Sequence, residues 1–148
     1  MFDDIGCKYI RRKLNFGDYS FEIQSDVLKS SNQYITFEND LVIERKNSLN
    51  ELASCFTTGR ERFEREFKRV KESNAKCILL VENDSLGNLR KHTYQSQLLP
   101  KSFEASLWSW KYRYNYEVFF CNSNDTGLYI YNLFYYYIRE FLKGDNNC

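Results

Sequence analysis

The feature that most constrains the fold is a short apolar run that ends abruptly in alternating charge, the segment Leu41–Lys46. Its apolar part, Leu41–Ile43, is typical of a strand buried in its middle. Because side chains on a strand alternate between two faces, Glu44 and Lys46 point to one face and Arg45 to the other. A carboxylate beside an ammonium group suits a metal ion next to a phosphate. On spacing alone, however, we favour an ion pair on the surface of an edge strand, because an acid–x–Lys triplet is common.

The remaining sequence indicates one α/β domain. A chain of 148 residues that is 43% hydrophobic and 18% aromatic has enough apolar surface for a core, which argues against disorder. The predicted elements begin with strands and then alternate between helix and strand, an order typical of layered α/β folds. We therefore expect residues 1–148 to form a single domain, with 144–148 as a polar tail.

Hydrophobic periodicity places the elements along the chain. The predicted strands are Tyr9–Phe16, Tyr19–Ile23, Leu41–Lys46, Lys76–Val81 and Tyr116–Cys121. The predicted helices span about 48–56, 60–73, 102–113 and 125–143. Ser48 and Glu51 have the spacing of a capping box at the first of these helices. Residues 24–39, with a turn at Ser30–Gln33, and residues 85–100 are predicted to be loops.

Charge and cysteine content exclude several classes of protein. The net charge is +1, so the chain is not a uniformly basic nucleic-acid coat. The five cysteines are odd in number and widely spread, and no two form a CxxC pair, so neither a zinc site nor redox chemistry is predicted. We expect a reducing, cytoplasmic setting, including the nucleoid or a phage-infected cell. No apolar run approaches the roughly 20 residues of a membrane span, so no membrane association is expected.

Several motifs, taken together, are more specific than any one of them. They are, in chain order, Gly17-Asp18, Glu44-Arg45-Lys46 and Gly59-Arg60. This series resembles the XPF-type nuclease domain, a branch of the PD-(D/E)XK nucleases, whose pattern is Gly-Asp followed by Glu-Arg-Lys-x-x-x-Asp. The resemblance covers most of residues 14–143 and is strongest to short phage and bacterial members. It implies a restriction-endonuclease-like domain of three layers, in which helices flank a mixed central sheet.

The resemblance also implies an activity and roles for particular residues. The expected activity is hydrolysis of phosphodiester bonds by a divalent-metal-dependent DNA endonuclease, acting on branched or flap DNA in repair or recombination. Asp18 and Glu44 would bind Mg²⁺ or Mn²⁺, and Lys46 would be catalytic. Arg45 and Arg60 would support the site or contact the DNA backbone.

Other charged residues have two interpretations each. Glu82, at the end of a predicted strand, is either a group close to the metal or a structural carboxylate. For Arg62, Arg65 and Arg69 we favour a solvated helix face with ion pairs to neighbouring glutamates. Phosphate contacts are the alternative for these arginines, and for Arg60 we favour a functional role.

The chain departs from the family pattern at two places. Asn50 stands where the motif has its last Asp, although an amide can still coordinate a cation or form a hydrogen bond. The strand that usually comes first in the family has no counterpart before Lys8. These departures motivate an alternative function, in which the chain is a catalytically incomplete, DNA-binding or dimerising subunit of such a nuclease.

The last predicted helix is aromatic on nearly all sides. One domain face cannot bury all of these side chains, so we predict a partner surface there. The family resemblance implies dimerisation near this end of the chain, as a homodimer or a heterodimer. A third, weaker hypothesis is a protein-interaction module that uses this helix and has no affinity for DNA.

Overall fold

Helices and strands alternate along the chain after an extended N-terminal segment. A computed structural model of the protein describes residues 1–24 and 34–145. Its strands are β1 (Glu22–Gln24), β2 (Tyr34–Thr36), β3 (Leu41–Lys46), β4 (Lys76–Glu82) and β5 (Tyr116–Cys121). Its α-helices are α1 (Leu49–Phe56), α2 (Arg60–Glu72), α3 (Leu86–Arg90), α4 (Pro100–Tyr114) and α5 (Thr126–Asp145). A short 3₁₀ helix at Asp3–Ile5 precedes them.

The longest strands form a parallel sheet in the order β3-β4-β5. Ile43 lies opposite Ile78, and Ile78 lies opposite Glu117. The middle strand, β4, is buried from Cys77 to Glu82, as expected of a parallel strand that is covered on both faces. Helices connect these strands, as parallel pairing requires. The sequence predictions for β3, β4 and β5 are confirmed.

Helices cover both faces of this sheet, which gives the domain three layers. On one face, Phe67 of α2 and Trp110 of α4 are each 1% exposed and belong to the larger hydrophobic core. On the other face, Ile130 of α5 is also 1% exposed and packs in a second core with Leu80. The predicted layered α/β architecture is confirmed.

The antiparallel strands lie in a second, smaller sheet. β1 pairs with β2, with Ile23 opposite Ile35. An antiparallel bridge between Tyr19 and Ile43 connects the N-terminal segment to β3. Parallel and antiparallel pairing are therefore both present, as predicted, but they are divided between two sheets. β2 lies in a stretch predicted to be a loop, and the predicted turn Ser30–Gln33 lies outside the residues that the structure describes.

The segment Tyr9–Phe16 is not a strand, so this prediction was wrong. Tyr9 and Ile10 are 47% and 65% exposed and face no core, whereas Phe16 at the other end of the segment is 5% exposed and packs in the larger core. Arg12 instead extends from the segment to form an ion pair with Glu22 at 3.4 Å. A strand also needs a neighbour for its backbone groups, and the available edge of β3 is occupied by the chain around the Tyr19 bridge.

The predicted loop 85–100 contains the short helix α3. The hydroxyl of Ser85 accepts a hydrogen bond from the N–H of Asn88 at 3.1 Å, which caps the start of this helix. A helix of five residues is too short to show a helical period in the sequence, so the whole stretch 85–100 was predicted to be a loop. α4 begins at Pro100, two residues before the predicted Ser102, because proline is tolerated in the first turn of a helix.

The predicted cap of α1 is present and fixes this helix to the end of β3. The N–H of Glu51 donates to the hydroxyl of Ser48 at 3.3 Å, and the Glu51 carboxylate accepts from the N–H of Asn47 at 2.9 Å. Asp84, just beyond β4, accepts a hydrogen bond from the N–H of Leu49 at 2.9 Å. The charged end of β3 is therefore enclosed by the start of α1.

The long helix α5 buries only part of its aromatic surface, as the sequence predicted. Ile130 and Phe134 are buried against the sheet. Large apolar residues that are between 41% and 55% exposed are Leu128, Tyr131, Tyr135, Tyr136 and Phe141. None of the helices in residues 1–24 and 34–145 combines the length and the apolar character needed to cross a bilayer.

Candidate active site

Glu44 and Lys46 lie side by side on the face of β3 that is covered by α1 and α2. The Nζ atom of Lys46 is 2.5 Å from Oε1 of Glu44 and 3.7 Å from a carboxylate oxygen of Glu51. It also lies 5.1 Å from the centre of the Phe63 ring. The side chains of Lys46 and Glu44 are only 10% and 12% exposed. Burying two charged side chains costs free energy, so their burial here points to a functional role for the pair.

The N-terminal segment brings Asp18 to the same strand end. The N–H of Asp18 donates to the carbonyl of Ile43, and Oδ2 of Asp18 accepts from the backbone N–H of Arg45, both at 2.8 Å. Gly17 permits this approach, because its φ is +70° and a Cβ there would lie 3.0 Å from the Cβ of Val42. The Gly-Asp pair noted in the sequence is therefore a steric requirement for docking this segment on β3.

Asp18, Glu44 and Lys46 border one pocket of about 410 Å³. The other ionisable side chains of Asp, Glu, Lys and Arg that line the pocket are Lys13, Arg62, Glu66 and Arg69. The lining thus contains three acidic and four basic side chains. The carboxylate oxygens of this pocket can bind a cation, and its basic side chains can bind the negatively charged oxygens of a phosphate group.

Burial affects the two charged groups of β3 differently. It raises the pKa of Glu44 above its ordinary value of 4.5, and the attraction of Lys46 offsets only part of this effect. Burial alone would lower the pKa of Lys46, but the Glu44 carboxylate more than compensates, and the pKa of Lys46 is raised. Lys46 is therefore held in its protonated form. Lys46 offsets only part of the cost of burying the negative charge of Glu44, and a nearby cation would stabilise that charge further.

Arg45 and Glu82 lie on the opposite face of the sheet. An Nη atom of Arg45 is 2.6 Å from Oε2 of Glu82, and the hydroxyl of Thr126 donates to the other oxygen of the same carboxylate. Glu82 is 1% exposed and Thr126 is fully buried. The hydrogen bond from Arg45 lowers the pKa of Glu82, despite the opposing effect of burial. The structure does not bring Glu82 to the pocket, and Arg45 reaches it only through its backbone N–H.

Asn50 and Arg60 also lie away from the pocket lining. The side-chain oxygen of Asn50 accepts a hydrogen bond from the N–H of Gln95 at 2.7 Å, which ties α1 to the chain beyond α3. The guanidinium of Arg60 stacks on the Trp110 ring at 4.9 Å and donates to the carbonyl of Phe56 at 3.3 Å. Both side chains therefore contact protein groups rather than the three residues at the pocket.

Arg62 and Arg69 line the pocket, although the sequence favoured a solvated helix face for them. Arg69 does form an ion pair with Glu66, as expected, but its Nε atom also donates to the carbonyl of Asn15 at 3.1 Å. A sequence signal for this position exists. Arg62, Glu66 and Arg69 recur at i, i+4 and i+7, directly beside the buried stripe of α2.

The carboxylates at the pocket retain oxygens for a metal ion. Lys46 binds Oε1 of Glu44, and the Arg45 N–H binds Oδ2 of Asp18. Their second oxygens accept no hydrogen bond from residues in the described ranges. Those ranges, 1–24 and 34–145, contain no cluster of three or more His, Cys, Asp or Glu side chains able to hold a metal. Mg²⁺ often uses only one or two carboxylates together with water and phosphate, so this donor set fits it.

Comparison with known proteins identifies the family. A model of the ERCC4 domain matches residues 1–133. No curated protein and no solved structure shows a significant match to the chain. The layered α/β fold is consistent with the restriction-endonuclease-like architecture expected of an ERCC4 domain. Because the match covers most of the sequence, the chain belongs to the ERCC4 domain family, the XPF-type nuclease domains that act on DNA.

Proposed function

We propose that this protein is a divalent-metal-dependent DNA endonuclease whose reaction occurs in the pocket beside β3. The observation that carries the proposal is that Asp18, Glu44 and Lys46 border the same pocket. ERCC4 nucleases generally depend on a divalent metal, which supports a metal site here. Asp18 and Glu44 provide the hard carboxylate oxygens that Mg²⁺ or Mn²⁺ prefers.

The chain's own residues orient the reacting groups in this proposal. A divalent ion, when bound, stabilises developing negative charge and lowers the pKa of the attacking water. The Arg45 N–H fixes the carboxylate of Asp18, and Lys46 fixes that of Glu44. Glu44 raises the pKa of Lys46, and we assign this ammonium the role of a hydrogen-bond donor to a phosphate oxygen or to water.

The remaining predicted site residues act as support. Arg45 and Glu82 hold the end of β3 to the end of β4 through their 2.6 Å ion pair. Asn50 holds the start of α1, and Arg60 holds the start of α2 through its contacts with neighbouring protein groups. These residues stabilise the elements from which Glu44 and Lys46 project.

We also propose a substrate and a partner. The resemblance to XPF-type domains supports branched or flap DNA as the substrate, in repair or recombination, with residues 1–148 acting as a single nuclease domain inside the cell. The exposed aromatic residues of α5, which include Tyr131, Tyr135 and Tyr136, support a homodimer or heterodimer through that helix.

The test is cleavage of labelled flap, fork, four-way-junction and duplex DNA with Mg²⁺, Mn²⁺ or EDTA. We expect metal-dependent cleavage that is lost in Glu44→Ala and retained in Glu61→Ala. Glu61 is a suitable control because it is exposed, carries the same charge and lies outside the pocket lining. Cleavage that persists in EDTA, or that survives Glu44→Ala, contradicts the proposal.

The alternative is a catalytically incomplete subunit that binds DNA and pairs with an active homologue. One observation favours it. Asn50 stands at the position of the motif's last Asp and is already bonded to the N–H of Gln95. This alternative predicts binding to branched DNA without cleavage under any metal condition.

A further inference from the structure

The basic side chains that line the pocket differ in how strongly protein groups engage them. Lys46 pairs with Glu44, and Arg69 pairs with Glu66. Lys13 and Arg62 are exposed, and they form no ion pair or hydrogen bond with any residue in 1–24 or 34–145. Two of the four pocket cations therefore keep their charge available for an anion from outside the protein.

Basic residues near these two show that availability is not general. Arg12, one position before Lys13, is bound to Glu22 at 3.4 Å. Arg60, two positions before Arg62, stacks on Trp110. Two properties together distinguish Lys13 and Arg62 from their neighbours: they line the pocket, and they have no ion-pair partner among residues 1–24 and 34–145.

The charge balance of the pocket creates a need for such groups. A phosphodiester that enters the pocket meets the carboxylates of Asp18, Glu44 and Glu66, which repel it. Cations that are already paired with protein carboxylates offset this repulsion less than cations without such a partner. An arginine guanidinium can also hold a phosphate through two parallel hydrogen bonds, and a lysine ammonium binds it as a point charge.

We infer that Lys13 and Arg62 form a phosphodiester-binding subsite at the pocket, where they hold the DNA backbone phosphates adjacent to the one that is cleaved. The two residues belong to different parts of the fold, the N-terminal segment and α2, so the DNA backbone bridges these parts when it binds. Contacts to phosphate carry no sequence information, so the subsite acts on any sequence and is sensitive to salt. The inference rests on the proposed nuclease function.

The experiment measures DNA binding without cleavage. Fluorescein-labelled flap DNA is titrated with protein in EDTA, and the dissociation constant is followed by anisotropy over a range of salt concentrations. Each phosphate contact contributes about 0.9 to the salt slope on duplex DNA and about 0.7 on single strands, which corresponds to roughly five- to eightfold in affinity at about 0.1 M salt. We expect Arg62→Ala and Lys13→Ala each to weaken binding by this factor and to lower the slope accordingly.

Matched controls separate the subsite from overall charge. Arg65→Ala removes the same charge from the same helix, at an exposed residue outside the pocket, and Lys8→Ala does so in the N-terminal segment. Both controls should change affinity by less than about twofold, since distant exposed charges are screened by salt. Arg62→Lys should retain the salt slope. Equal losses in Arg62→Ala and Arg65→Ala, or no loss in either, overturn the inference.

The binding contrast is independent of catalysis. If wild-type protein binds flap DNA but never cleaves it, the nuclease proposal fails while the difference between Arg62→Ala and Arg65→Ala is still measured. If wild-type protein cleaves DNA and the two variants bind alike, the nuclease proposal stands and the subsite is refuted. Because Arg62 is exposed, the far-UV circular dichroism of each variant should match that of wild type.

Discussion

The two faces at the end of β3 carry ion pairs of nearly equal length but of opposite character. Lys46 lies 2.5 Å from Glu44 on the pocket face, and Arg45 lies 2.6 Å from Glu82 on the other. Yet burial raises the pKa of Glu44, whereas the hydrogen bond from Arg45 lowers the pKa of Glu82. The carboxylates of Glu44 in β3 and Glu82 in β4 thus lie in environments that shift their pKa values in opposite directions.

The difference lies in how completely each carboxylate is hydrogen-bonded. Both oxygens of Glu82 have donors, one from Arg45 and one from the buried hydroxyl of Thr126. For Glu44, the residues that the structure describes provide a donor to one oxygen only. A carboxylate with all its acceptors used stabilises the fold, whereas one with a remaining oxygen can bind a ligand. The pattern Glu-Arg-Lys therefore combines a structural ion pair with one that we propose to be functional.

The largest effect should come from removing the pocket ammonium. Lys46→Met keeps the aliphatic bulk but eliminates the donor, so the rate of cleavage should fall by about 10²- to 10⁴-fold, the range for a positioned proton-transfer or charge-stabilising group. Single-turnover cleavage at saturating enzyme measures this rate. Lys111→Met, which breaks an ion pair with Glu117 at 2.7 Å far along the chain, is the control and should cleave normally. Normal cleavage by Lys46→Met would show that the ion pair on the pocket face has no role in cleavage.

On the opposite face the effect should appear in stability. Glu82→Ala leaves Arg45 without its ion-pair partner, and it leaves the buried hydroxyl of Thr126 with a more distant acceptor, the carbonyl of Asn122 at 3.4 Å. The free energy of unfolding should therefore fall by about 3 kcal/mol, at the low end for a broken buried pair. Arg45 is 35% exposed and partly rehydrates, which limits the loss. Urea unfolding measures the change. Glu117→Ala breaks a surface pair and should lose less than about 1 kcal/mol; equal losses would show that the network is unimportant.

The sequence was sufficient for the core of the fold because its strands have a strong, simple pattern. β4 is apolar through its middle and buried on both faces, so Lys76–Val81 could be assigned directly. Tyr9–Phe16 failed for the opposite reason. Its apolar residues indicate a strand, but whether a strand forms depends on a free sheet edge, which only the tertiary structure determines.

The sequence predicts those features of the candidate site that follow directly from backbone geometry. The period of a strand places Glu44 and Lys46 together, and a glycine before Asp18 indicates a close backbone approach. Arg62 is exposed, as the interpretation of a solvated helix face expects, but it also lines the pocket. The sequence shows which side of α2 is apolar but not which segment lies beside that side. The roles given to Asn50 and Arg60 stay predictions, since motif position alone does not reveal their contacts with Gln95 and Trp110.

A smaller effect should follow from adding one methyl group at the docking point of Asp18. Gly17→Ala faces both an unfavourable φ of +70° and a Cβ contact of 3.0 Å with Val42. At Gly6 the φ is +65°, but an added Cβ would have no other atom within 4 Å. Gly6→Ala therefore measures the cost of the backbone conformation alone. Gly17→Ala should therefore destabilise the protein by about 1–2 kcal/mol more than Gly6→Ala and, unlike it, reduce cleavage. Equal unfolding midpoints and equal cleavage would refute this account of Gly17.

The smallest and most direct test compares the signs of two pH dependences. Glu82 has a lowered pKa in the folded state, so it contributes stability above its ordinary value of 4.5, and that contribution is lost as the pH falls through the lowered pKa. Glu44 has a raised pKa, so its contribution is present below 4.5 and is lost as the pH rises through the raised pKa.

Wild type, Glu82→Gln and Glu44→Gln are therefore unfolded with urea in EDTA at several values between about pH 3 and pH 7. As the pH rises, the stability of wild type should increase relative to that of Glu82→Gln. Over the same rise in pH, it should decrease relative to that of Glu44→Gln. Adding Mn²⁺ should reduce the second loss, because a cation favours the charged carboxylate at the pocket. Slopes of the same sign would mean that the two carboxylates share one environment, and the distinction between the faces of β3 would then fail.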